Sequence, residues 1–233
     1  MTSLIPVLEL TPRSYSTRQR QTPEGSIAEN PDGWFTYWSE SLADAGIHGL
    51  TPWTPGSWLV TIDQLHNPDL LRTVITNAAP DMALVDIEEI GALSGGYVLS
   101  HDGVTLLPGC CGDLSNLEYW RRAATDSNES WAMLWLGHPW TFVRSSGDVL
   151  RFVEPSERQE ADGLNEVLSL SCAALLDAVN RAFDARNDFA ERLLPVVQAL
   201  NPRIAAIDVV QVLVRGHDQL PAIPAGHGHD VAW

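Results

Sequence analysis

The chain has 233 residues, 45% hydrophobic and 19% charged, and 30 acidic against 14 basic side chains give a formal net charge of −16. No apolar run reaches the roughly 20 residues of a membrane-spanning helix. Every basic residue is arginine, and these are too scattered for the basic stripe that a phosphate backbone requires, so neither a membrane nor a nucleic-acid partner is expected.

The N-terminal MTSLIPVLELTPRS lacks a basic region ahead of its short apolar run, which argues against a secretory signal. Cys110, Cys111 and Cys172 are too few for a disulfide framework. A cytoplasmic location is therefore the expectation.

In chain order, SLIPVLEL reads as a first strand, and Thr11 to Asn30 as a long polar loop. Asp32 is the expected cap of a helix carrying Trp34, Trp38, Leu42 and Ala45, with Gly46 at its end. The prolines and glycines of GLTPWTPG make a turn into a strand, SWLVTI. Asn67, Pro68 and Asp69 then signal a helix start, with Leu70, Leu71, Val74, Ile75 and Ala78 on its buried face. Met82 to Leu93 fits strand or short helix. Gly95 and Gly96 introduce a hairpin, YVLSHDGVTLL, turning at Asp102-Gly103.

WAMLWLG and TFVRSSGDVLRFVEP read as further strands, the second a hairpin turning at Ser145 to Asp148. PSERQEADG reads as a linker. Leu164, Leu168, Cys172, Leu175, Val179 and Phe183 follow helical spacing, and a separate helix is expected over Phe189 to Leu200. Asn201 and Pro202 precede IAAIDVVQVLV, whose β-branched content leaves helix or strand open. The histidine- and glycine-rich end of the chain is expected to be a flexible tail.

The densest stretch is LPGCCGDLSNLEYWRRAATDSNESWAMLWLGHPW, residues 107–140. Ser115 and Glu118 fit a capping box, and Leu114 with Tyr119 a hydrophobic staple. The question is why Pro-Gly-Cys-Cys-Gly-Asp stands just before that helix. A cysteine near a helix N-terminus can become a nucleophilic thiolate, with His138 as base and Asp113 as its orienter. In extended backbone, adjacent side chains point to opposite faces, so one of Cys110 and Cys111 at most would line a given site. Buried cysteine otherwise packs as a small hydrophobe. Trp140 and His138, around Pro139, fill a bend between strands.

Cys-Cys lacks the spacing of structural zinc sites, and His227, His229 and Asp230 read as soluble tail, so no metal is expected. No phosphate-binding loop, nucleophile elbow or zinc-protease motif occurs, and no cofactor is implied.

The run GYVLSHDGVTLLPGCCGDLSNLEYWRRA, with MLWLGHPW, RFVEP, and upstream IPVLEL and W-x-x-Y-W, resembles a group of uncharacterised bacterial proteins sharing a PGCCGDL…W…LWLGHPW pattern. The resemblance covers roughly residues 4–155 and implies a single large domain, with no activity attached. In layout alone the chain also resembles the SMI1/KNR4-like (SUKH-type) immunity proteins, acidic α+β domains with a tryptophan-rich antiparallel sheet.

The expected fold is α+β: an antiparallel sheet of about five or six strands with helices on one face. The expected division is a domain over 1–155, a C-terminal helical segment over 156–215, packed on it or used in association, and a tail over 216–233. The expected function is an acidic cytoplasmic interaction module of the immunity type, monomeric or homodimeric, with a basic protein partner. The alternative is an enzyme or small-ligand protein with its pocket at Cys110, Asp113, His138 and Trp140.

Overall fold

The computed structural model describes residues 1–217 apart from 81 and 83. The tail residues His227, His229 and Asp230 lie outside the described residues. Among the described residues, no helix is long and apolar enough to cross a membrane.

Among the described residues, two antiparallel sheets of four strands each carry the α+β fold, where one sheet is the expectation from sequence. In the first, β1 (Ser3–Glu9) lies between β2 (Leu59–Thr61) and β3 (Gly95–His101), with β4 (Val104–Leu106) outside β3. The second runs β5 (Ala132–Leu134), β6 (Thr141–Ser146), β7 (Val149–Val153) and β8 (Glu166–Ser171) in chain order. The β3–β4 hairpin turns where expected, with positive φ at Asp102 (47°) and Gly103 (85°), as a tight two-residue turn demands.

Among the described residues, six α-helices complete the fold. α1 (Pro12–Tyr15) interrupts the expected loop because Tyr15 is buried. The rest of that loop is anchored by Arg20, whose guanidinium lies 2.7 Å from Asp44 and donates to the Glu40 carbonyl at 3.0 Å. α2 (Pro31–Asp44) starts earlier than the sequence suggests: Asn30, not Asp32, accepts from the Gly33 N–H at 3.0 Å, and Pro31 opens the helix. α3 (Pro68–Ala78) begins as read, with the Asn67 side chain accepting from Asp69 and Leu70. α4 (Leu117–Thr125), α5 (Cys172–Leu200) and α6 (Ala206–Arg215) follow. The segment left open between strand and helix is α6, with Val209, Val210, Val212, Leu213 and Val214 buried.

The C-terminal third departs most from the sequence reading. Leu168 fits a helical repeat with Leu164 and Cys172, but Val167 to Ser171 also alternates. The alternation wins because Leu168 and Leu170 bury against the core while Glu166 and Ser169 face out. The helix begins only at Ser171, which caps the Ala174 N–H at 3.1 Å. From there α5 runs unbroken through Pro195 for 29 residues, with Phe189 and Leu193 continuing the buried stripe of Leu175 and Val179. Asn201 ends α5, is buried, and donates to the Met82 carbonyl at 2.7 Å.

β8 pairs with β7, so the sheet crosses the expected boundary near residue 155. α5 packs on β1, α3, α4 and α6, and one apolar cluster extends from Leu4 to Val214.

Candidate functional site

The residues between β4 and β6 owe their placement to backbone crossing. Cys110 and His138 exchange N–H···O bonds of 2.9 Å in both directions, and Gly109 donates to Leu136 at 2.9 Å. On the other side, Gly95 of β3 donates to the Gly112 carbonyl at 2.9 Å, and Leu114 to Leu93 at 3.1 Å. The PGCCGD segment thus joins the two sheets, tied to β3 on one flank and to the approach to β6 on the other. A Cβ on Gly112 would stand 2.7 Å from the Gly95 carbonyl oxygen and 2.9 Å from that of Leu136. Only glycine lets three backbones meet this closely.

Gly109 to Gly112 close a turn, with the Gly112 N–H donating to the Gly109 carbonyl at 3.2 Å. Cys111 takes φ of +64°, the left-handed conformation that the third position of a type II turn requires. This corrects the expectation of opposite faces, which assumed extended backbone. Both cysteines are exposed, and the neighbouring Cys110 thiol pushes the Cys111 thiol above its ordinary value.

His138 sits opposite Cys110 as a hydrogen-bonded cross-strand pair, which puts the two side chains on one face. Its Nε2 lies 2.8 Å from a Glu157 carboxylate oxygen. The ring meets Trp140 edge to face, with centroids 4.6 Å apart at 88°. Trp140 exchanges backbone bonds with Ser156 and packs with Trp131 against buried Phe142, Val153 and Ala161. The loop read as a linker therefore returns to the motif and supplies Glu157. No motif in PSERQEADG announces that role, because Glu157 reaches His138 only once β8 has folded the loop back.

Asp113 is elsewhere engaged. Its side chain accepts from the Ser115 N–H at 2.7 Å and the Ser115 hydroxyl at 2.5 Å, and the Asn116 side chain accepts from the Asp113 N–H at 2.7 Å. The reciprocal cap of the 3₁₀ turn Leu114–Asn116 is thus Asp113 with Asn116, in place of Ser115 with Glu118. Glu118 instead binds Arg121 and Arg122, at 2.6 and 3.0 Å, which hold its carboxyl below the usual range. Of the expected staple pair, Leu114 is buried and Tyr119 is exposed.

Cys110, His138 and Trp140 converge; Asp113 does not orient His138. None of the four lines either of two surface cavities. One of about 340 Å³ is lined by Ala78, Pro80, Met82 and Ile90, and one of about 520 Å³ by His48, Gln64, His66 and Asp69. Among the described residues, no group of three or more histidine, cysteine or acidic side chains is placed to hold a metal ion. At this cluster both thiols are presented to solvent.

The outward face of α5 carries a second feature. Asp177, Asp184, Asp188 and Glu191 are all exposed on α5, spaced so that they fall within about 60° of arc on one helix face. Among the described residues none of them forms an ion pair or side-chain hydrogen bond. The arginines of α5 turn to backbone carbonyls instead: Arg181 to Thr2 at 2.9 Å, Arg192 to Leu65 at 3.0 Å, and buried Arg186 to Leu114 and Val214 at 3.5 Å. The seven-, four- and three-residue intervals between the acids were the available signal.

No family model, no curated protein and no solved structure matches the chain.

Proposed function

We propose that the chain is an acidic interaction module of the immunity type, acting in the cytoplasm and binding a basic protein partner through the outward face of α5. One observation carries this reading: four exposed carboxylates share that face while the helix's own arginines bond to backbone carbonyls. Like charges three and four residues apart, as in Asp184, Asp188 and Glu191, destabilise a helix by about 0.2–0.5 kcal/mol each. Among the described residues they make no ion pair within the fold, whereas a cationic partner meets a stripe about 20 Å long. Complementary charge of this kind speeds encounter and sets partner choice. The net charge of −16 extends the same field over the whole surface.

The test is capture from native lysate on the wild-type protein and on the D177N/D184N/D188N/E191Q variant, washed at low and high salt. Basic proteins held by the wild type, released by salt and absent from the variant support the reading. Identical capture by both proteins, or capture of neutral and acidic proteins alone, overturns it.

A further inference from the structure

The Cys110–Cys111 pair has a chemistry that the α5 face does not use. Both thiols are free and exposed, and the turn from Gly109 to Gly112 carries them on consecutive residues at its tip. Two features make this turn an unusual place for a second cysteine. The φ of +64° at Cys111 disfavours any side chain. The glycines on both sides are fixed by backbone crossings, so the thiols cannot be drawn into the core by a small rearrangement.

A direct S–S bond is poorly matched to this geometry. Consecutive Cα atoms are about 3.8 Å apart, while a disulfide usually spans roughly 4.4–6.8 Å. Placing one further atom between the sulfurs enlarges the ring and removes that mismatch. That atom must be soft, since thiolates prefer soft centres, and must take its two sulfurs at a narrow angle. A pyramidal trivalent arsenic does so, while a two-coordinate linear metal ion does not.

We propose that Cys110 and Cys111 form a bidentate thiol site for a trivalent organoarsenical, a soft thiophilic ligand held by both sulfurs. The exchange is balanced without any oxidant. Each sulfur displaces one hydroxyl from an arsonous acid, R–As(OH)2, forming one As–S bond as one As–O bond breaks. The two thiol protons leave with the two hydroxyls as water, and arsenic stays trivalent. Cys172, half-buried at the start of α5 and distant in sequence, has no cysteine neighbour and binds through one sulfur at most. It serves as an internal control.

The probe is phenylarsonous acid at one equivalent, followed by excess 2-mercaptoethanol and intact-mass measurement. The wild type and Cys172→Ser should each keep one phenylarsenic group through the monothiol wash and lose it to 1,2-ethanedithiol. Cys110→Ser and Cys111→Ser should each lose it to the monothiol. In the wild type itself, tryptic cleavage leaves Cys110 and Cys111 together on the peptide spanning residues 73–121, which should carry the arsenic with both thiols shielded from iodoacetamide. The proposal is overturned if the wild type keeps no monothiol-resistant adduct, if the adduct maps to Cys172, or if either single serine variant keeps it.

Discussion

Cys110 and His138 are joined by two backbone hydrogen bonds, each 2.9 Å long, and this pairing places the distinctive motif at the junction of the two sheets. It is where the chain passes from one sheet to the other. Backbone, and not side chain, does most of the joining. His138→Ala should therefore lower stability by only about 1 kcal/mol or less, since the lost Glu157 contact is a surface ion pair. Denaturant unfolding checks this, and a loss of several kcal/mol would show that the imidazole itself holds the junction.

Glycine at the crossing should behave differently. Gly112→Ala places a methyl against three carbonyl oxygens 2.7 to 3.1 Å away, none on a flexible side chain, and should cost about 3 kcal/mol or more. Gly46→Ala meets open space at φ of +78° and should cost only the roughly 1 kcal/mol of a left-handed alanine. Melting temperatures of the two variants give the ranking directly.

Two carboxylates should act on stability in opposite directions with pH. The Arg20 guanidinium bonded to Asp44 holds that carboxyl below its ordinary value. Its contribution is full above the unfolded pKa near about 3.9 and fades as pH falls through the lower folded value. Burial raises the Glu9 carboxyl. The folded state then keeps that proton longer, so its penalty is absent below the unfolded pKa of about 4.3 and grows as pH rises through the higher folded value. Asp44→Asn should destabilise at pH 7, and Glu9→Gln stabilise, with the first difference closing in strong acid and the second closing near pH ~4. Thermal melts across that range test both signs.

Thiol reactivity should follow the same physics. The neighbouring Cys110 sulfur raises the Cys111 thiol, leaving less thiolate there at neutral pH. Limiting iodoacetamide should label Cys110 before Cys111. Peptide mapping reads the order, and faster labelling of Cys111 would contradict it.

Local signals were legible where a single residue decides the outcome. Asn67-Pro68-Asp69 opens α3 as read, and Asp102-Gly103 turns the β3–β4 hairpin as read. Signals failed where two patterns shared residues. Leu168 satisfies both a helical repeat and an alternating strand, and only pairing with β7 decides for β8. The candidate site was legible to the extent that backbone pairing brings Cys110, His138 and Trp140 together. Asp113 was misassigned because a helix cap and a catalytic orienter ask for the same side chain. Glu157 was invisible because its role depends on a loop closed by contacts distant in sequence. The acidic stripe on α5 was countable in the sequence, but the arginines between its members masked it until the fold turned them toward carbonyls.

The most direct test of the α5 reading is carboxyl footprinting of the protein with and without its captured partner, using a carbodiimide and a neutral amine. Asp177, Asp184, Asp188 and Glu191 should lose reactivity in the complex, while exposed Glu88, Glu89 and Glu160 keep theirs. If those four label equally with and without partner, and protection falls instead on Glu157 or elsewhere, the interface is not on α5 and the account is wrong.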